Sequence, residues 1–149
     1  MKVYTDTSEI VKIKSAVVTV GSFDGLHNGH IKIFEKVIEL SNKNSGNSFV
    51  ITFEPHPRSV ISKEFDLKIL TSLEEKKEVL EKMGIENLMV INFTKEFSQL
   101  TSDEFIKHFI IEKIGSSHMV IGHDHKFGKD RLGDEKKLRE VGKIYNIDV

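Results

Sequence analysis

The chain has 149 residues, a length that suits one domain with a substantial core. A formal net charge of −1 gives no electrostatic footprint for nucleic acid, and the absence of cysteine excludes disulfides, thiolate metal sites and a cysteine nucleophile. The opening Met-Lys-Val-Tyr-Thr-Asp has no apolar signal region and no apolar run approaches the ~18 residues of a membrane helix, so a cytoplasmic location without a membrane partner is expected.

Short apolar runs alternate with helical patterns. Val-rich Ala16–Val20 reads as a buried strand. His30–Leu40 follows as a helix, with Ile31, Phe34 and Ile38 beside Ile33, Val37 and Leu40 at helical spacing. Phe49–Phe53 is a second strand. Thr71–Met83 is a helix, opened by a capping box of Thr71 with Glu74 or Ser72 with Glu75 and closed by Gly84. Leu88–Phe93 is a third strand. Thr101–Ile114 is a helix with Thr101 and Glu104 as its capping box and Gly115 after it. Met119–Ile121 reads as a fourth strand, Asp134–Tyr145 as a helix, and Ile147–Val149 as the opening of a fifth strand. This alternation predicts one α/β domain over residues 1–149: a Rossmann-like parallel sheet of about five strands with helices on both faces. Ligands of such sheets sit at the carboxyl ends of the strands. Three segments fall there: 21–30, 54–70 and 122–133. The second runs for about 17 residues without periodicity, a length that in compact domains is usually functional or disordered.

Residues 21–30 read Gly-Ser-Phe-Asp-Gly-Leu-His-Asn-Gly-His. The seven fixed residues of Gly-x-Phe-Asp-Gly-x-His-x-Gly-His coincide by chance at roughly one start position in 10⁹, if each occurs at a few per cent. Gly21 ends the strand without a side chain, which lets a ligand approach the backbone, and Gly25 and Gly29 permit positive φ. His27 and His30 are three apart at a helix start, so they share one face of its first turn. Unpaired N–H groups and the helix dipole favour phosphate there. Two imidazoles can donate to phosphoryl oxygens and stabilise charge growing on an α-phosphate under in-line attack, with no covalent intermediate. Asp24 can orient a ligand group, bind magnesium through water, or cap the helix. A zinc site is a second reading of His-x-x-His, but it supplies two ligands and no third follows.

In Phe53-Glu54-Pro55-His56-Pro57 both prolines of the chain flank one histidine, stiffening the strand exit. Residues 122–133 read Gly-His-Asp-His-Lys-Phe-Gly-Lys-Asp-Arg-Leu-Gly. Lys126, Lys129 and Arg131 can neutralise phosphate charge or form a solvated basic loop. Phe127 is expected to pack rather than to stack on a ligand. His108 and His118 read as ordinary helix and strand-edge residues.

The first loop resembles the His-x-Gly-His signature of the nucleotidyltransferase superfamily. With Phe-Asp-Gly before it, it is similar to the FMN adenylyltransferase (FAD synthetase) module of prokaryotic bifunctional riboflavin kinase/FAD synthetases. Phe-x-Pro-His-Pro and Gly-x-Asp-x-x-Phe-Gly-x-x-Arg-x-Gly-Asp are further marks of that family, in the same order, so the resemblance runs from about Val17 to Val149. It implies a nucleotidyltransferase fold and an enzyme of FAD biosynthesis that joins the AMP part of ATP to FMN with Mg²⁺, giving FAD and diphosphate. It implies catalytic roles for His27 and His30. Nucleotide contacts would come from Gly21, Ser22, Phe23, Asp24, Gly29, His30, Gly122, Asp124 and Arg131, with Asp124 on the ribose hydroxyls. Flavin contacts would come from Pro55, His56 and Pro57. Ile69-Leu70-Thr71-Ser72 with Glu75 and Lys76 resembles a third family segment. His125 stands where the family has Phe. A cytidylyl- or other adenylyltransferase of the superfamily, or a nucleotide- or flavin-binding module without turnover, are the alternatives. The family's Ser-Ser/Thr-x-x-Arg segment and riboflavin kinase barrel do not occur within these residues, so a C-terminally truncated chain is expected.

Overall fold

The computed structural model describes residues 1–13, 15–62, 68–123 and 125–149. Five strands form one parallel sheet: β1 (Lys2–Tyr4), β2 (Ala16–Val20), β3 (Ser48–Glu54), β4 (Asn87–Asn92) and β5 (Ser116–Met119). Their order is β1-β4-β3-β2-β5. The helices are α1 (Asn28–Lys43), α2 (Pro57–Ile61), α3 (Leu73–Met83), α4 (Lys95–Ser98), α5 (Ser102–Phe105) and α6 (Glu135–Tyr145). α5 runs on as π-helical turns through Ile106–Ile114. No described helix is long and apolar enough to cross a membrane.

The strands read as apolar runs because both faces of the sheet are covered. Successive residues of β2 and β3 go to opposite cores. Val18, Val20, Phe49 and Ile51 pack with Ile106, Ile110, Leu138 and Val141 on one face. Val17 and Val50 pack with Phe34, Val37 and Leu80 on the other. All of these residues are buried. The helix ends follow their residues. Ser72 and Glu75 form the capping box of α3, and Gly84 closes it at φ 91°. Thr101 and Glu104 form that of α5.

Four local expectations differ. The sheet gains an edge strand, β1, which pairs with β4 in the register Lys2↔Asn87 and Tyr4↔Met89. β5 begins at Ser116, three residues ahead of the predicted strand. Around Ile147–Val149 the pairing is a single parallel bridge, His118↔Asp148. The segment after β3 contains a short helix, α2, because Pro57 needs no hydrogen-bond partner at the first helical position and His56 caps it.

The connections β2–α1–β3 and β3–α3–β4 step outward to one side of β2, and β5 lies on its other side. The direction of winding therefore reverses between β2 and β5. The loops leaving these two strands open the crevice in which such sheets hold ligands.

Candidate functional site: a cleft at the carboxyl edge of the sheet

A cleft of about 910 Å³ lies at this edge, lined from the loops after β2, β3, β4 and β5. Gly21, Ser22, Phe23, Gly29 and both His27 and His30 line it, as do His56, Pro57, Gly122 and Arg131. Asp24 and Pro55 are not among the lining residues. Asp124 lies outside the described residues.

The β2–α1 loop is held in a conformation that non-glycine residues rarely adopt. Phe23 (φ 48°), Gly25 (φ 80°) and Leu26 (φ 36°) all have positive φ. The segment leading into α3 holds it there. Asp24 Oδ1 accepts from the N–H groups of Leu70 and Thr71, both at 2.9 Å. Gly25 N–H donates to Thr71 Oγ1 at 3.0 Å. Lys76, only 5% exposed, donates from Nζ to the Ser22 carbonyl at 2.5 Å and to Thr52 Oγ1 at 3.2 Å. Burial pulls the Lys76 ammonium below the usual lysine range, and the charges of Glu54 and Asp24 oppose that shift. The Asp24 Oδ1 so engaged holds the loop to α3. Gly29 is not at positive φ; its missing side chain makes room for His27, whose Cε1 lies 3.0 Å from where a Cβ would stand. At Gly21 a Cβ would stand 2.9 Å from the Phe23 ring.

His27 is the N-cap of α1, and its Nδ1 accepts from Gly29 N–H at 3.2 Å. A neutral ring with Nδ1 accepting carries its proton on Nε2. His56 repeats this arrangement on α2, its Nδ1 accepting from Arg58 N–H at 3.2 Å. The His27 and His30 rings stack at 3.7 Å. Phe23, 4% exposed, braces His30 edge-on at 5.4 Å and rests on Phe34 at 4.9 Å. Burial is the main reason that His30 binds its proton less tightly than free imidazole, with the charges of His27 and Lys76 adding to it. Burial lowers His56 as well.

The β5–α6 loop closes the other side. Phe127 meets Phe105 edge-on at 5.9 Å while also lining the cleft, and the antiparallel bridge Phe127↔Gly133 pins the loop. His125 lies 5.5 Å from Phe127, and burial first, then Arg131, pushes its imidazole down to about 4. Lys126, Lys129 and Arg131 are exposed at the rim. His108 pairs with Glu112 at 2.9 Å and His118 sits at the far edge on Ser117 and Asp148, as an ordinary helix and edge-strand residue would.

Residues 10–149 match the family model described as FAD synthetase. The chain belongs to the FAD synthetase family. It is 33% identical over its whole length to the bifunctional riboflavin kinase/FMN adenylyltransferase of Buchnera aphidicola (Schizaphis graminum), of which it covers 48%. It is 29% identical to the protein of that name from Escherichia coli K12, matching 91% of this chain and 44% of that one. A Listeria monocytogenes FAD synthetase is 33% identical over 91% of this chain and 55% of its own length. The chain thus spans about half the length of the curated relatives it matches. A solved Streptococcus pneumoniae structure, described as a macrolide-efflux protein, superposes with a TM-score of 0.83 at 23% identity, covering 99% of this chain and 55% of that one. At that identity the likeness confirms the α/β fold.

Within this FAD synthetase domain the cleft also has a wall that the motifs did not point to. Phe93, Phe97, Gln99 and Leu100, at the end of β4 and around α4, line it beside Phe53. Phe93 and Phe97 meet edge-on at 5.4 Å. Their spacing of four after a predicted strand was the signal available in the sequence.

Proposed function

We propose that this domain transfers the AMP group of ATP to FMN. The observation that carries the reading is the stacked His27–His30 pair at the N-terminus of α1, facing a cleft shared with the Pro-His-Pro loop and the 122–131 loop in an FAD synthetase family chain. In the reaction a phosphate oxygen of FMN attacks the α-phosphorus of ATP in line. The bond from that phosphorus to the oxygen bridging to the β-phosphate breaks, and diphosphate leaves with the electron pair. Charge grows on the α-phosphoryl oxygens, where the Nε2–H of His27 and the His30 imidazole stabilise it. Gly21, Ser22, Phe23, Gly29, Gly122, Asp124 and Arg131 form the nucleotide side in this reading, and Asp24 supports it through the backbone. His56 and Pro57 border the flavin side, with Pro55 shaping the strand exit. Loops from different strands thus divide the two substrates between them.

Mg²⁺ belongs to the proposal as a partner of ATP. Among the described residues no three His, Asp or Glu side chains gather as a cage. An ion that prefers phosphates, waters and one or two carboxylates needs none; it neutralises phosphate charge. The riboflavin kinase activity in the relatives' names is not assigned to this chain. The cytoplasm, which holds ATP and FMN, is the location that goes with this reading.

The test is to supply FMN and ATP labelled at the α-phosphate. Label appearing in FAD supports the reading. Label retained in ATP, or lost to AMP alone, refutes it.

A further inference from the structure

Among the described residues, two buried side-chain polar atoms have no hydrogen-bond partner: His30 Nδ1 and His125 Nε2. Both belong to residues that line this cleft, and His125 also borders a more open hollow along α6. A buried nitrogen without a partner lowers the stability of the free protein, and a ligand that supplies the partner recovers what was lost. His30 is already placed in the reaction. His125 has no task in it, and the resemblance leads to a hydrocarbon ring at that position.

We propose that His125 reads the base of the bound nucleotide through a hydrogen bond at Nε2. The inference rests on the nucleotide reading of the cleft. The surroundings distinguish a base from a phosphate. The His125 ring lies 5.5 Å from Phe127 with its plane 30° away, and Phe127 in turn meets Phe105. Gly122 and Ile33 line the same cleft and lie close together, since a Cβ on Gly122 would stand 3.3 Å from Ile33 Cδ1. The immediate neighbours of the His125 ring are therefore aromatic rather than charged. With its pKa near 4, His125 is uncharged at neutral pH and brings no positive charge to a phosphate. An uncharged purine edge carries the donors and acceptors that a neutral imidazole matches. The exposed Lys126, Lys129 and Arg131 supply the phosphate-facing charge instead.

The experiment is calorimetric binding of ATP, 2′,3′-dideoxyATP and inorganic tripolyphosphate to the wild-type chain and to His125→Phe, without FMN. For the variant, ATP and dideoxyATP are expected to bind about tenfold more weakly and tripolyphosphate unchanged. The melting temperature of the free variant should equal or exceed that of wild type, because an orphaned buried nitrogen has been removed. A role in structure alone would lower it. Unchanged ATP affinity, an equal loss for tripolyphosphate, or a penalty that disappears with dideoxyATP each overturns the assignment to the base. Should His125→Phe not fold, His125→Ala carries the same comparison. Wild type that binds no ATP overturns both this inference and the nucleotide reading. Wild type that binds ATP but forms no FAD overturns only the transfer reading.

Discussion

The rings of His27 and His30 lie face to face, their centroids 3.7 Å apart and their planes 25° from parallel. His27 is tied to the start of α1 by Gly29 N–H, and His30 is braced by Phe23. The pair is therefore ordered before any ligand arrives, which is what stabilisation of a transition state by fixed donors requires. His27→Ala and His30→Ala are each expected to lower the rate of FAD formation by roughly 10²–10³-fold, with ATP binding weakened much less. Steady-state kinetics check this, and intact rates in both variants would remove the pair from the mechanism.

The histidines of the cleft also set a pH dependence. His30, His56 and His125 are all shifted below the ordinary value by burial, His125 to about 4. Unfolded, each takes up a proton as pH falls through about 6.5. Between that value and the folded pKa the unfolded state binds more protons, so stability falls as pH falls and is fully present above about 6.5. His125 alone contributes a loss of about 2–3 kcal/mol across its window. Melting temperatures between pH 7.5 and 4 should fall on the acid side, and His125→Phe should flatten part of that slope.

Asp24 and Lys76 hold the strained β2–α1 loop in place through its contacts with α3 and the segment leading into it. Asp24→Ala removes the acceptor of two backbone N–H groups and is expected to cost about 1–3 kcal/mol in denaturant unfolding. Asp24→Asn, which keeps one acceptor oxygen, should cost less. Lys76→Met takes a buried ammonium off the Ser22 carbonyl. ATP binding by this variant should weaken several-fold while α3 remains folded by circular dichroism.

Gly128 sits at φ 74°, and a Cβ there would stand 2.6 Å from Ser102 N. Gly128→Ala must push the β5–α6 loop off the start of α5. The expected result is ATP binding about tenfold or more weaker, with a melting temperature lowered by a few degrees, because the new methyl group meets the Ser102 backbone, which cannot yield like a flexible side chain.

The parts of this fold that could be read from the sequence are those where one local pattern decides the outcome. β2 and β3, buried on both faces, read as apolar runs; the capping-box pattern at Thr101 placed the start of α5, and the two overlapping patterns at Thr71 and Ser72 bracketed that of α3, which Ser72 caps. β1 escaped because Lys2–Tyr4 is three residues long and is fixed by pairing with β4, far away in the chain. β5 was displaced because Ser116–His118, on an edge, carries no apolar run. In the site, the histidines and glycines of 21–30 were visible through their spacing. The work of Lys76 was not, since its contact with Ser22 spans 54 positions. Neither was that of Asp24, whose Oδ1 accepts from Leu70 and Thr71, 46 and 47 positions away. The Phe93–Phe97 wall went unread because aromatic residues after a strand look like core.

The central claim is that the His27–His30 pair serves transfer of AMP to FMN. Its most direct measurement is chromatographic and enzymatic quantitation of FAD and diphosphate from the wild-type chain incubated with ATP, FMN and Mg²⁺. The account predicts the two products in equal amounts, dependent on both substrates and strongly reduced in His30→Ala. Diphosphate released without FAD, or no product from a protein that binds both substrates, would contradict it.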